Sequence, residues 1–355
     1  MNKNLSFKKF VILLAIILPS YALYHLIIWN LYTSQIFDRK DKLYIGDIGR
    51  ISYQLNSLHP RKLEYTLNKK HLNHAGYNNE KIDILTVGDS FSNAGAGGLN
   101  PYYQDYLADI HNINVLNIIK MSNGRHALFE SILVLYNNGW LKKHQPKLII
   151  IESSERDTYN RFAKKFDFSM NKFDTPITIS GAKTKELYIP SLLTINTANY
   201  KLPYYTAMYM LKNRAFKRVA KIELNSDFFT ANHYENQLLF HYDDIKKLEN
   251  NQQKVELINN NFNKLALLLK SLNIKLAFMP AVDKYDLYSN YILNNPYPKN
   301  NFFDIIRPMK KDYYFIDTKA ILSPMLKDGV KDLYYSDDTH WSYKASKEIA
   351  RNIKL

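Results

Sequence analysis

Cysteine is absent from the 355 residues. That excludes disulfides, thiolate zinc sites and a cysteine nucleophile, and it suits an exported chain. Acidic residues are in deficit: 33 Asp and Glu stand against 48 Lys and Arg, for a net charge of +15. The basic residues are scattered, with no block interleaved with stacking aromatics. The charge therefore reads as attraction to anionic lipid head groups or acidic glycans rather than to nucleic acid. Phosphate-cradling motifs are missing too. The glycine-containing stretch Ser92–Asn100, SNAGAGGLN, has neither the G-x-x-x-x-G-K-S/T nor the G-x-G-x-x-G spacing and reads as a loop. His71, His74, His111 and His126 show no H-E-x-x-H or paired spacing, so neither a metal nor a cofactor is predicted.

What is present begins with a basic tail, residues 1–9, followed by Phe10–Tyr32, 23 residues without Asp, Glu, Lys or Arg. That length crosses a hydrocarbon core. The lysines before it predict a cytoplasmic amino terminus, with the bulk of the chain outside. A cleaved signal peptide competes, with Val11–Leu18 as its apolar region and Pro19-Ser20-Tyr21-Ala22 as the cleavage site. The apolar pattern runs past that site to Trp29, which favours an uncleaved anchor over 10–32. Both readings export the remainder. Residues 33–80 read as a stalk or amino-terminal extension and 81–355 as the main domain. Apolar runs predict strands at Ile82–Val87, Asn114–Ile119, Pro146–Ser153, Ile274–Met279 and Tyr313–Ile316. Helices are expected at about 102–110, 126–136, 254–271, 303–310 and 343–353, the last with Ser342 as its N-cap. This alternation implies an α/β fold with a mainly parallel sheet in three layers. Residues 158–250 fit it poorly and read as a large insertion over the carboxyl edge of the sheet.

The first strand ends in Gly88-Asp89-Ser90-Phe91, where a tight turn lifts Ser90 into the crevice at which open α/β sheets bind ligands. A serine there becomes a nucleophile when a histidine and a carboxylate reach it. The chain offers both in Ser336-Asp337-Asp338-Thr339-His340-Trp341. Either Asp337 or Asp338 has a spacing that serves His340.

G-D-S with a carboxyl-terminal Asp/His pair resembles the SGNH (GDSL-type) hydrolase superfamily, which has a flavodoxin-like three-layer fold. Asp338-Thr339-His340-Trp341 resembles the D-T-H-W signature of the alginate O-acetyltransferase branch. Glu152-Ser153-Ser154-Glu155-Arg156 is similar to its E-x-x-E-R strand end, and Pro280 to Lys284, with Tyr288 following, to its P-x-x-x-K turn. In that branch the D-T-H-W block precedes the serine. Here the serine comes first, as in the peptidoglycan O-acetyltransferases. The resemblance implies acyl transfer: Ser90 as nucleophile, His340 as base, and Asp338 ahead of Asp337 as the acid that orients it. The oxyanion hole would use Ser90 N–H with Asn123 and Gly124, although Gly124 also fits an ordinary turn. Arg156, Lys284, Tyr288 and Trp341 are the candidates for contacting substrate, with structural pairing to Glu152 or Glu155 as the alternative for Arg156. The implied setting is a single-pass inner-membrane protein with a periplasmic catalytic domain. It would take acetyl groups from a membrane-bound O-acyltransferase and pass them to a cell-envelope glycan. An esterase and a non-catalytic glycan-binding assembly protein are the alternatives.

Overall fold

The computed structural model describes residues 3–33, 46–52, 67–73, 77–93, 102–119, 127–171, 197–212, 218–230 and 235–355. Its main sheet has six strands, all paired in parallel: β1 (Leu72–Asn73), β2 (Ile84–Gly88), β3 (Val115–Ile119), β4 (Leu148–Ser154), β7 (Lys275–Ala281) and β8 (Tyr314–Phe315). Two further strands, β5 (Val219–Glu223) and β6 (Gln237–His241), form a separate antiparallel pair. The sheet order is β1-β3-β2-β4-β7-β8. Without the two-residue edge strand β1, the five remaining strands run 2-1-3-4-5, the flavodoxin-like order. Every residue of β2 and β4 is buried, in keeping with the apolar stretches Ile84–Val87, broken only by Thr86, and Leu148–Ile151 that begin them. Helices cover both faces. Tyr103–His111 packs on Tyr343–Asn352 on one side, while Glu155–Phe162 and Phe302–Ile306 pack on Gln252–Lys270 on the other. Phe262 stacks on Phe278 of β7 at 4.1 Å, joining that second layer to the sheet.

The predicted strands and helices recur with ends moved by a few residues, and the final strand shortens to two residues. Sequence reading missed β1, the helix Thr318–Lys327 and the short helix Asp47–Ser52. In the poorly alternating region the structure forms the helix Thr197–Lys212 and the β5–β6 pair.

Among the described residues one helix, Ser6–Leu31, is long and apolar enough to cross a membrane, and its side chains are largely exposed. A core helix of a soluble domain would have buried them. Its carboxyl end meets Thr197–Lys212 through a polar cluster around the fully buried Asn199. Tyr24 Oη donates to Asn199 O (2.7 Å), and Thr33 Oγ1 donates to Asn199 Oδ1 (2.6 Å). Asn199 Nδ2 in turn lies 2.9 Å from His25 Nδ1. Farther along the same helix, Tyr205 packs on a small apolar cluster of Ile48, Val219 and Leu239.

Candidate active site

Strand β2 stops at Gly88 because the next turn comes too close for a side chain. A Cβ there would lie 2.2 Å from Ser92 Oγ and 2.3 Å from Glu152 Oε2. The chain turns at Asp89 and enters the short helix Ser90–Asn93, which leaves Ser90 exposed at the carboxyl edge of the sheet. This is the point between β2 and β4 where the strand order reverses, the usual ligand crevice of such sheets. Asn93 Nδ2 fastens the turn by donating to Gly88 O (2.7 Å) and Asp89 O (2.8 Å).

His340 reaches that serine from 250 residues away, with Nε2 at 2.7 Å from Ser90 Oγ. Its Nδ1 lies 2.7 Å from Asp338 Oδ1. A carboxylate only accepts, so Nδ1 carries the proton and Nε2 is left to accept from the serine hydroxyl. Asp338 Oδ1 also accepts the His340 backbone N–H at 3.0 Å, which fixes ring and backbone together. Phe91 packs its ring edge-on against both His340 (4.8 Å) and Trp341 (4.6 Å). Burial opposes protonation of His340, but the hydrogen bond and charge of Asp338, followed by the charge of Asp47, outweigh it and raise the imidazole above its ordinary value.

Between the two aspartates the geometry is unequal. Asp337 turns away and accepts Gly46 N–H at 2.7 Å, so it does not meet the imidazole. Asp47, which sequence reasoning missed, does approach it: Oδ2 lies 3.9 Å from His340 Nδ1. No motif flagged Asp47, since it sits in a short polar helix far from either motif in sequence.

No family model matches the chain, and no curated protein matches it. Among solved structures it is similar to the lipase Lip_vut3 from a goat rumen metagenome. That likeness has a TM-score of 0.36 and 10% identity, over 76% of this chain and 94% of that one. At that distance the site stands on its own geometry.

The residues expected to contact substrate are placed differently. Lys284 is fully buried, its Nζ donating to the carbonyls of Tyr335 (2.7 Å), Ser336 (2.9 Å) and Asp338 (3.1 Å). Burial pushes its ammonium down to about 8, against the pull of Asp337, Asp338 and Asp47. Tyr288 is buried among Phe228, Phe229 and Tyr334, and Trp341 is buried against Phe91 and Tyr103. All three are buried rather than open to solvent. Arg156 pairs with Asp283 (2.7 Å) and Asp244 (3.3 Å), not with Glu152 or Glu155. Both glutamates serve as buried acceptors. Glu152 Oε2 takes Asp89 N–H (2.9 Å) and Ser92 Oγ–H (2.8 Å), and Glu155 takes Asp283 N–H (2.9 Å) and Asn300 Nδ2–H (2.8 Å). Asn123 and Gly124 lie outside the described residues.

Proposed function

We propose that this chain is a membrane-anchored acyltransferase of the SGNH type that moves an acetyl group to hydroxyls of a cell-envelope polysaccharide. The observation that carries the reading is the unbroken relay from Ser90 Oγ through His340 to Asp338, at 2.7 Å on both sides of the imidazole. His340 Nε2 takes the hydroxyl proton as Ser90 Oγ attacks the acyl carbon of the donor ester. Asp338 holds the tautomer and stabilises the imidazolium. As the tetrahedral adduct collapses, the leaving alcohol recovers that proton and the acyl group stays on Ser90. An acceptor hydroxyl then attacks the acyl-enzyme, His340 takes its proton, and Ser90 is regenerated with that proton. Ser90 N–H, with Asn123 and Gly124, would supply the donors where oxyanion charge develops.

The exposed apolar helix Ser6–Leu31 supports an anchor in the inner membrane, with the domain on the periplasmic side next to the head groups. Acetyl-CoA is not available there, so a membrane-bound O-acyltransferase would supply the acyl group. An esterase is the second reading, favoured by the exposure of Ser90, which lets water reach the acyl-enzyme.

The test is intact-mass spectrometry of the full chain in detergent after exposure to 4-nitrophenyl acetate, beside Ser90→Ala. An acetyl adduct on the wild type alone is expected, along with acetylated oligosaccharide once an acceptor is added. Fast nitrophenol release without an adduct or acetylated sugar would favour the esterase. If Ser90→Ala behaves as the wild type does, the acyl-enzyme reading fails.

A further inference from the structure

We propose that Asp47 is a positioning residue for His340: a second carboxylate, supplied by the segment that follows the apolar helix, clamps the D-T-H-W loop and backs the imidazolium alongside Asp338. The inference rests on the acyl-transfer reading of the site.

The clamp is built from both sides. Asp47 Oδ1 accepts Thr339 N–H at 2.8 Å, and Oδ2 accepts Thr339 Oγ1–H at 2.5 Å, so one carboxylate grips backbone and side chain of the residue between Asp338 and His340. Asp337 returns the grip, its side chain accepting Gly46 N–H (2.7 Å) and its carbonyl Gly49 N–H (2.9 Å). Ile48, fully buried with Val219 and Leu239, holds the segment down through apolar contact. Four polar contacts and an apolar seat exceed what a passing linker needs.

The chemistry follows from where Oδ2 lies. Thr339 Oγ1 donates its hydrogen bond to Asp47, and its oxygen lies 3.3 Å from His340 Nδ1, with the carboxylate itself at 3.9 Å. When His340 takes the serine proton, the new positive charge meets one carboxylate in direct contact and another within about 4 Å, where Coulomb attraction in partly buried surroundings is substantial. The charged groups that act on the imidazole are Asp338, Asp47 and, opposing them, Arg156. Lys284 faces the same carboxylates from beneath the loop. Asparagine at position 47 can keep an acceptor on Thr339 N–H while removing the charge, which separates positioning by charge from mere packing.

Two readouts on the full chain in detergent test the proposal. The first is the pH profile of Ser90-dependent 4-nitrophenyl acetate turnover. The second is titration of the His340 ring by NMR with labelled histidine, assigned through His340→Gln. Loss of the Asp47 charge makes the imidazolium less stable, so in Asp47→Asn the ring should titrate at lower pH and the acid limb of the profile should move down with it. Plateau turnover should fall roughly tenfold, between the bulk-water and protein-surface limits for a charge about 4 Å away. Asp47→Ala should move both readouts in the same direction. A His340 titration and an acid limb both unmoved in Asp47→Asn would overturn the proposal, whatever Asp47→Ala does to the fold. Absence of Ser90-dependent turnover in the wild type would instead sink the acyl-transfer reading, and this role with it.

Discussion

Ser90 stands on a network drawn from two neighbouring strands, whereas His340 stands on a loop tied to pieces from across the chain. Beneath the serine, Asp89 bonds to Arg161 and accepts Ser154 N–H (2.8 Å) and Phe91 N–H (3.1 Å). Glu152 accepts from Asp89 N and Ser92 Oγ. These residues lie on β4, on the turn and helix that follow β2, or on the helix that follows β4, and the parallel pairing of β2 with β4 brings them together. The histidine loop accepts hydrogen bonds from Lys284 after β7 and donates them to Asp47 in the amino-terminal segment. The nucleophile is therefore fixed by the sheet and the base by long-range tethers. Disturbing the first network should cost stability, and disturbing the second should cost rate.

Arg161→Ala should break that comparison open most. Burial opposes ionisation of Asp89, yet the Arg161 guanidinium beside it holds its carboxyl well below the usual range. Both side chains are nearly buried, at 9% and 13% exposure for Arg161 and Asp89, so removing the cation strands a carboxylate that keeps two backbone donors. The expected loss is about 3 kcal/mol, the low end for one partner of a buried pair, read from the unfolding midpoint at neutral pH. The sign with pH is fixed. A depressed carboxyl stabilises the fold above its unfolded value of about 4 and loses that contribution as pH falls below it. The gap between wild type and Arg161→Ala should narrow in acid. A gap that stays constant would mean Asp89 is not ionised in the fold.

Lys284→Met sharpens the other side. Three carbonyls of the 335–338 stretch lose their shared donor, while the desolvation of a buried ammonium is relieved, so the two stability effects oppose each other. Turnover has no such compensation. Displacing the loop that carries Asp338 and His340 should lower kcat by roughly 10²-fold, as a misplacement of about 1 Å does. A variant with lost stability and unchanged kcat would show that the base does not depend on its tether to β7.

The same contrast explains what the sequence made legible. Strands buried on both faces announce themselves as apolar runs, so β2, β3, β4 and β7 and their parallel pairing could be anticipated from Ile84–Val87, Val115–Ile119, Leu148–Ile151 and Ile274–Met279. Ser90 and His340 stood out because turn and motif are local. Asp337 and Asp338 could not be ranked by spacing alone, since the choice depends on which carboxylate the backbone at 338–340 turns inward. Lys284 read as a candidate for contacting substrate because its three acceptors are backbone carbonyls some 50 residues on, which no local pattern marks. Asp47 gave no signal for the same reason, its partner being Thr339, 292 positions away. Contacts that join distant segments leave no periodicity to read.

Glu152→Gln is the mildest test and the most specific for the serine side. Burial, and then the charge of Asp89, push its carboxyl well above the ordinary glutamate value, against the opposing Ser92 hydrogen bond and Arg161 charge. Its Oε1 has no hydrogen-bond partner among the described residues, which suits a protonated acid whose other oxygen does the accepting. A raised carboxyl adds stability below its unfolded value of about 4.3, and that contribution is lost as pH rises towards the folded value. Glutamine keeps an acceptor for Asp89 N–H and Ser92 Oγ–H and does not titrate. The variant should match the wild type in acid and gain on it as pH rises, on a scale of about 1 kcal/mol, with Ser90-dependent turnover little changed. Unfolding midpoints across the pH range would show this. A deficit that instead grows with pH would mean the ionised glutamate is what the nucleophile turn requires.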